Sequence, residues 1–318
     1  MRLAADIDLR DGRCATVAVV PESAHITKCR QGRQWPLGLD GIPLGSMRAY
    51  GLTSPGLLRS NNEDAFLCDL ERRLFVVADG MGGHAAGEVA SRLAIESITQ
   101  FFGQADTIAF GGPQTGPPTA ADADRVQEAI AAANRRVFRA ASEEDAYAGM
   151  GTTIVAARVT DAGDHAVLAH VGDSRIYLFA DGELTLLTRD DSWEELAWAQ
   201  QAAGGPPAPR MPNPRVLTSV LGIRPDVDVH VAERPLPGRG FLLLCSDGLH
   251  GCVPHSTIED ILAAARGPEE GVRSLIDAAL AHGAPDNVTA VAVAYGDAAQ
   301  TPPRAPGETQ SWPGGTQA

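Results

Sequence analysis

RLFVVAD, residues 73–79, is a nearly continuous apolar run that stops on an aspartate. A strand of that kind has to be covered on both faces, which restricts the chain to a layered fold with a sheet inside. Its neighbours supply the layers. FLCD before it, and GTTIVAARV (151–159), HAVLAHVG (165–172), RIYLFADGEL (175–184), VDVHVAER (227–234), GFLLLCSDG (240–248) and NVTAVAVAY (287–295) after it, read as strands. Asp181-Gly182 is a hairpin signal, since glycine accepts the positive φ of a primed turn. Helical spacing places Ala86, Ala90, Leu93, Ile98 and Phe101 of 85–102 on one face, and Val126, Ile130, Ala133 and Val137 of about 121–141 on another. Two further helical segments fall within 256–282, the second capped by Gly283. Hairpin-linked strands with helices inserted in paired blocks predict an α+β layered sandwich of antiparallel sheets, not a βαβ fold.

The dense pattern runs from 47 to 296. Residues 1–46 contain one candidate short strand, CATVAVV, and otherwise no period; they read as an N-terminal extension, either an appendage or a stretch upstream of the true start. Residues 297–318 are Pro, Gly and polar, and are expected to be disordered. QAAGGPPAPRMPNPR (201–215) is a loop that joins neither ladder nor helix. The formal net charge of −14 argues against nucleic acid as a partner, and no polybasic run suits a membrane surface. No segment approaches the roughly 18 apolar residues that span a bilayer. Five cysteines, an odd number with no C-x-x-C spacing, argue against a disulfide scaffold and a thiolate zinc site. A reduced, cytoplasmic protein is the natural reading.

The carboxylates carry the chemistry. Glu63 and Asp64 precede AFLCD, Asp79-Gly80 follows RLFVVA, Asp247-Gly248 follows GFLLLCS, and Asp286-Asn287 precedes VTAVAVAY; Asp173 lies in Gly-Asp-Ser-Arg between two strands. One Asp-Gly at a strand end is a common turn, and Glu63-Asp64 alone is an ordinary solvated face. The repetition is what points further: two packed sheets could bring these ends to one rim, where the charges repel unless cations sit among them. A carboxylate rim without a histidine or cysteine pair favours Mg²⁺ or Mn²⁺ over Zn²⁺. Arg59, in RSNNEDAF, offers paired donors that fit a phosphate.

RSNNEDAF, VVADGMGGHAAGEVAS, GTTIVAA, HVGDSRIYLF, LTRDDS, LLLCSDGL and DNVTAVAV, in that order between about 47 and 296, resemble the motif set of the metal-dependent type 2C (PPM) Ser/Thr protein phosphatases in their bacterial form. The resemblance implies a four-layer sandwich of two antiparallel sheets flanked by helix pairs, with a dinuclear Mn²⁺ or Mg²⁺ centre at one edge. It implies that Asp79 bridges both ions and that the Gly80 carbonyl binds the first. Asp247 and Asp286 would bind the second, Glu63 would act through water, and Asp64 would order bound water. Asp173 would share a third, weaker site with Asp247, and Arg59 would clamp phosphate. The implied reaction is direct in-line attack by a bridging hydroxide without a phosphoenzyme. The implied setting is a cytoplasmic monomer that acts on phosphorylated proteins, among them Ser/Thr kinases and their substrates.

Two departures stand out. Met81 follows Asp-Gly where some relatives have a histidine that protonates the leaving oxygen, leaving His84 as the nearest imidazole; a helix-start role suits His84 better than catalysis. Asp191 stands where relatives commonly have histidine, at the start of a flap (about 192–215) rich in Pro, Gly and Ala. Trp193 and Trp198 read as packing residues of that flap, and Cys245 as a small buried hydrophobe. The alternatives are a non-catalytic, partner-binding domain of the same fold, and a phosphatase of small phosphomonoesters or of anti-sigma-type partners.

Overall fold

A computed structural model describes residues 17–18, 47–82, 86–105, 120–160, 163–205 and 216–296. In chain order the elements are strands β1 (Val17–Ala18), β2 (Arg48–Ser54), β3 (Asp64–Asp69) and β4 (Leu74–Met81), then helices α1 (Ala86–Ala105) and α2 (Ala120–Glu143). A 3-10 turn at Asp145–Tyr147 leads to β5 (Gly151–Thr152), β6 (Ile154–Val159), β7 (His165–Val171), β8 (Arg175–Ala180) and β9 (Glu183–Leu186). The helix α3 (Trp193–Ala202) is followed by β10 (His230–Pro235), β11 (Arg239–Cys245), α4 (Asp247–His250), α5 (His255–Ala264), α6 (Pro268–Ala281) and β12 (Val288–Gly296).

The strands form two sheets. The first runs β1-β3-β4-β6-β7-β10, with β5 paired to β4; the second runs β2-β12-β11-β8-β9. Every pairing is antiparallel. The expected α+β sandwich of two antiparallel sheets is therefore the observed one.

The apolar run at 73–79 explains the layering. Because side chains alternate along a strand, Leu74, Val76 and Ala78 of β4 join the core under α1 and α2, with Ile95, Ile98, Ile130 and Val137. Phe75 and Val77 point the other way, into a core between the sheets with Leu242, Leu244, Val291 and Val293. The opposite face of the second sheet, through Tyr50, Leu243 and Ala292, packs on Ile258, Leu262, Leu275 and Ile276 of α5 and α6. Both sheets are thus covered on both faces.

Details of the reading hold and fail locally. Asp181 and Gly182 have φ of 53° and 85°, and Ala180 pairs with Glu183, so the two-residue primed hairpin is present. GTTIVAARV is two strands rather than one, because the Thr153 amide leaves the ladder to donate to the Asp79 carbonyl at 2.8 Å. GFLLLCSDG ends as a strand at Cys245; Asp247 and Gly248 open the single turn α4 with Ser246 at its cap. Val17–Ala18 within CATVAVV does pair, with Leu67 and Phe66. The rest of 1–46, the tail 297–318, His84 and flap residues 206–215 lie outside the described residues.

Candidate metal centre

The two sheets bring the acidic strand ends to one cleft, and the register does part of the work. Asp64 opens β3 directly opposite Asp79 on β4. Asp247 follows β11, and Asp286 precedes β12, whose residues 290–296 pair with all of β11. Asp173 lies in the loop between β7 of the first sheet and β8 of the second. The carboxylates feel one another: burial is the main cause that raises Asp79 well above the usual carboxylate range, and the charges of Asp64, Asp247, Asp173 and Asp286 all push it further. Burial also pushes Asp173 up to about 7, with Asp247 and Asp190 adding to it. Glu63 is raised by burial, which the Arg59 guanidinium partly offsets.

Buried polar groups need partners, and here they fix the carboxylates. Asp64 Oδ2 accepts from Thr289 Oγ1 at 2.6 Å and from Ser246 Oγ at 2.8 Å. One carboxylate of the first sheet thereby holds the residue before Asp247 and a residue of β12. Thr289 Oγ1 in turn is 2.7 Å from Thr53 Oγ1, which accepts from Asn62 Nδ2 at 2.8 Å. Asn287 ties the other side: its Oδ1 accepts from the Glu63 amide at 2.8 Å, and its Nδ2 donates to the carbonyls of Asn61 and Pro55. Thr152 and Thr153 secure Asp79 through its own carbonyl and amide. None of these Asn, Thr and Ser residues was assigned a hydrogen-bonding role from the sequence, Asn287 being named only beside Asp286. The signal was there only as runs such as SNNED and DNVT, whose polar atoms cannot be assigned partners without the fold.

Whether these residues suit a hard divalent ion can be tested on the structure. Asp64 Oδ1 is buried without a hydrogen-bond partner, as an acceptor turned toward a cation or its water would be. Gly80 has no room for a side chain, since a Cβ would lie 2.1 Å from the Gly87 carbonyl oxygen and 2.6 Å from that of Glu63. Gly87 in turn faces the Glu63 carboxylate, with Oε2 2.4 Å from the position of a Cβ. Among the described residues no three Asp, Glu, His or Cys side chains enclose an ion by themselves. Carboxylate and carbonyl oxygens are the donors that Mg²⁺ and Mn²⁺ prefer. Asp79, Asp247, Asp286, Glu63, Asp173 and the Gly80 carbonyl are the groups that could hold such ions.

The remaining candidates differ in exposure. Arg59 is exposed and its Nη2 donates to Asp286 Oδ2 at 2.7 Å. Met81, at the position discussed for a proton donor, is 38% exposed and has no proton to give. Cys245 is fully buried, as expected, and burial pushes its thiol up to about 12. The packing role expected of the flap tryptophans fails for Trp198, which is 69% exposed. α3 buries no residue at all, so its aromatic side chain has no core to enter.

Known proteins share the sequence pattern and the fold of this chain. Serine/threonine protein phosphatase PstP of Mycobacterium tuberculosis is 36% identical over 247 residues, which make up 77% of this chain and 44% of PstP; the chain thus matches less than half of that relative's length. Serine/threonine phosphatase stp of Listeria welshimeri is 33% identical over 251 residues, 78% of this chain and 95% of stp. The crystal structure of M. tuberculosis PstP/Ppp superposes with a TM-score of 0.65 at 33% identity, covering 78% of this chain and 97% of that one. The catalytic domain of PstP in complex with 2 manganese ions superposes with a TM-score of 0.64 at 33% identity, covering 79% and 99%. Residues 59–281 match the family described as protein phosphatase 2C. With the sandwich and the acidic cleft in place, the chain belongs to the protein phosphatase 2C family, a family of metal-dependent hydrolases.

Proposed function

We propose that the chain removes phosphate from phosphoserine and phosphothreonine of proteins, using two Mn²⁺ or Mg²⁺ ions, and that it opposes Ser/Thr kinases in the cytoplasm as a monomer. The observation that carries this reading is the crowding of Asp64, Asp173, Asp247 and Asp286, drawn from both sheets, around the charge of Asp79. In this reading Asp79, the Gly80 carbonyl, Asp247 and Asp286 would hold the two ions. Glu63 acts through water, and Asp173 contributes with Asp247 to a third, weaker site. When bound, the ions would acidify a water between them and neutralise charge on the phosphoryl oxygens.

The chain's own residues do the rest. Arg59 turns from Asp286 to the phosphoryl group, where a planar guanidinium can take two oxygens at once. Asp64, its Oδ2 held by Thr289 and Ser246, keeps its other oxygen for orienting water. Among the described residues a cysteine nucleophile finds no support: Cys245 is buried with a raised thiol pKa, the Cys252 thiol is also raised by burial, and thiolate is what such a nucleophile needs. The similarity to PstP, a serine/threonine protein phosphatase, and to stp, a serine/threonine phosphatase, favours a protein substrate over a small phosphomonoester.

The test is hydrolysis of an aryl phosphate and of a phosphothreonine peptide, with Mn²⁺ and with chelator. Turnover of both is expected with metal and none with chelator. Full activity in chelator would refute the metal assignment. Hydrolysis of small esters without any phosphopeptide would move the substrate class.

A further inference from the structure

We propose that Asp191, oriented by His230, is a positioning residue that holds the Asp173 loop against the metal centre. This rests on the reading of Asp173 as a metal-facing carboxylate. Asp191 grips Gly172, the residue before Asp173, at both polar groups. Its Oδ2 accepts from the Gly172 amide at 2.9 Å, and its own amide donates to the Gly172 carbonyl at 2.9 Å. Gly172 cannot yield easily: its φ is +99°, and a Cβ there would lie 2.7 Å from the Thr153 side chain. The position of the Gly172 peptide therefore passes directly to Asp173.

The rest of the Asp173 loop is anchored independently. Ser174 Oγ is 2.7 Å from Thr153 Oγ1, and His250 Nε2 is 3.0 Å from the Asp173 carbonyl, to which it donates. Asp191 thus anchors the Gly172 peptide, on the N-terminal side of Asp173, and it is itself held in place. Its side chain is 13% exposed, and Oδ1 accepts from His230 Nε2 at 2.9 Å. His230, on β10, stacks on His170 of β7 with ring centroids 4.7 Å apart. The His170 Nε2 is 2.8 Å from the Arg189 carbonyl and must donate to it. The Asp191 carbonyl accepts from the Thr218 amide at 2.8 Å, on the far side of the flap. The edge of the first sheet, the base of the flap and the Asp173 loop meet at this one residue.

A residue that merely stabilises the fold would act regardless of Asp173; a positioning residue acts through it. The test is therefore a double-mutant cycle on the full chain with Asp191→Ala, Asp173→Ala and the pair. Mn²⁺ binding is followed by calorimetry, and amide exchange over 171–176 is measured in metal-free protein. Asp191→Ala is expected to weaken the weakest Mn²⁺ step about tenfold, the usual effect of removing a group that orients a ligand, and to speed exchange at Gly172 and Asp173. In the Asp173→Ala background it is expected to add nothing. Asp191→Asn, which keeps an oxygen for the Gly172 amide, is expected to stay within about threefold. His230→Ala, at an exposed residue, should shift binding in the same direction by less, and it carries the test if Asp191→Ala does not fold. Wild-type Mn²⁺ binding in Asp191→Ala and His230→Ala, or an Asp191 effect that persists in full without Asp173, overturns the proposal. If the wild type binds no Mn²⁺, the reading of the centre falls and this inference with it.

Discussion

Arg59 and Asp64 are close in sequence and opposite in physical character. The Arg59 side chain is 55% exposed and its ion pair with Asp286 sits at the surface, where such pairs contribute about 0–1 kcal/mol. Asp64 is buried, shares one oxygen between two hydroxyls and leaves the other without a partner. A buried charged group of that kind is costly to stability, so it is retained for something else. The two sites therefore separate function from folding. Arg59→Ala is expected to leave thermal stability within about 1 kcal/mol of wild type. It should raise KM for an aryl phosphate about tenfold or more, the loss of a charged hydrogen bond, with a smaller change in kcat. Steady-state kinetics beside a thermal melt would check both, and an unchanged KM would remove the clamp role.

The flap shows where an element is legible and where it is not. α1, α2, α5 and α6 were readable because each lays an apolar stripe on a sheet, as Val126, Ile130, Ala133 and Val137 do on α2. α3 has no such stripe, and Leu196 and Trp198 are exposed. Its helical state comes from the Ser192 cap, whose Oγ accepts from the Glu195 amide, and from the Arg189–Glu195 pair, local bonds that leave little periodic signal. The centre was legible for a similar reason. Its carboxylates stand out in sequence, whereas the Asn287, Thr289 and Ser246 atoms that fix them acquire meaning only when β11 and β12 are paired. A ten-residue helix without buried contacts is marginal on its own. Amide exchange in α3 is therefore expected to proceed by local opening at about 3 kcal/mol or less, while α1 and α6 exchange only near the global unfolding free energy. Protection of α3 equal to that of α6 would mean that something covers it.

At the scale of the molecule, the cleft is a place where folding and proton binding oppose metal binding. Asp173 is pushed from its ordinary value of 3.8 up to about 7, and Asp64, Asp79 and Glu63 are raised as well, each chiefly by burial. Between those values the folded chain holds protons that the unfolded chain has released. Stability of the metal-free protein therefore falls as pH rises from the ordinary carboxylate range through about 7. Divalent ions need the same oxygens deprotonated, so their contribution runs the other way and grows with pH. Other groups complicate either curve alone. Burial lowers the pKa of His170, for example, so its protonation disfavours the folded state at the acid end. Taking the difference between melts with Mn²⁺ and with chelator at each pH cancels such contributions. The increment in Tm from Mn²⁺ is expected to grow by about 2–4 °C per kcal/mol of added stabilisation, small at about pH 5.5 and largest at about pH 8. In chelator alone, Tm is expected to decline over that range. A Mn²⁺ increment independent of pH would mean that the ions bind away from these carboxylates, because only groups that exchange protons for metal in this window can make the increment rise.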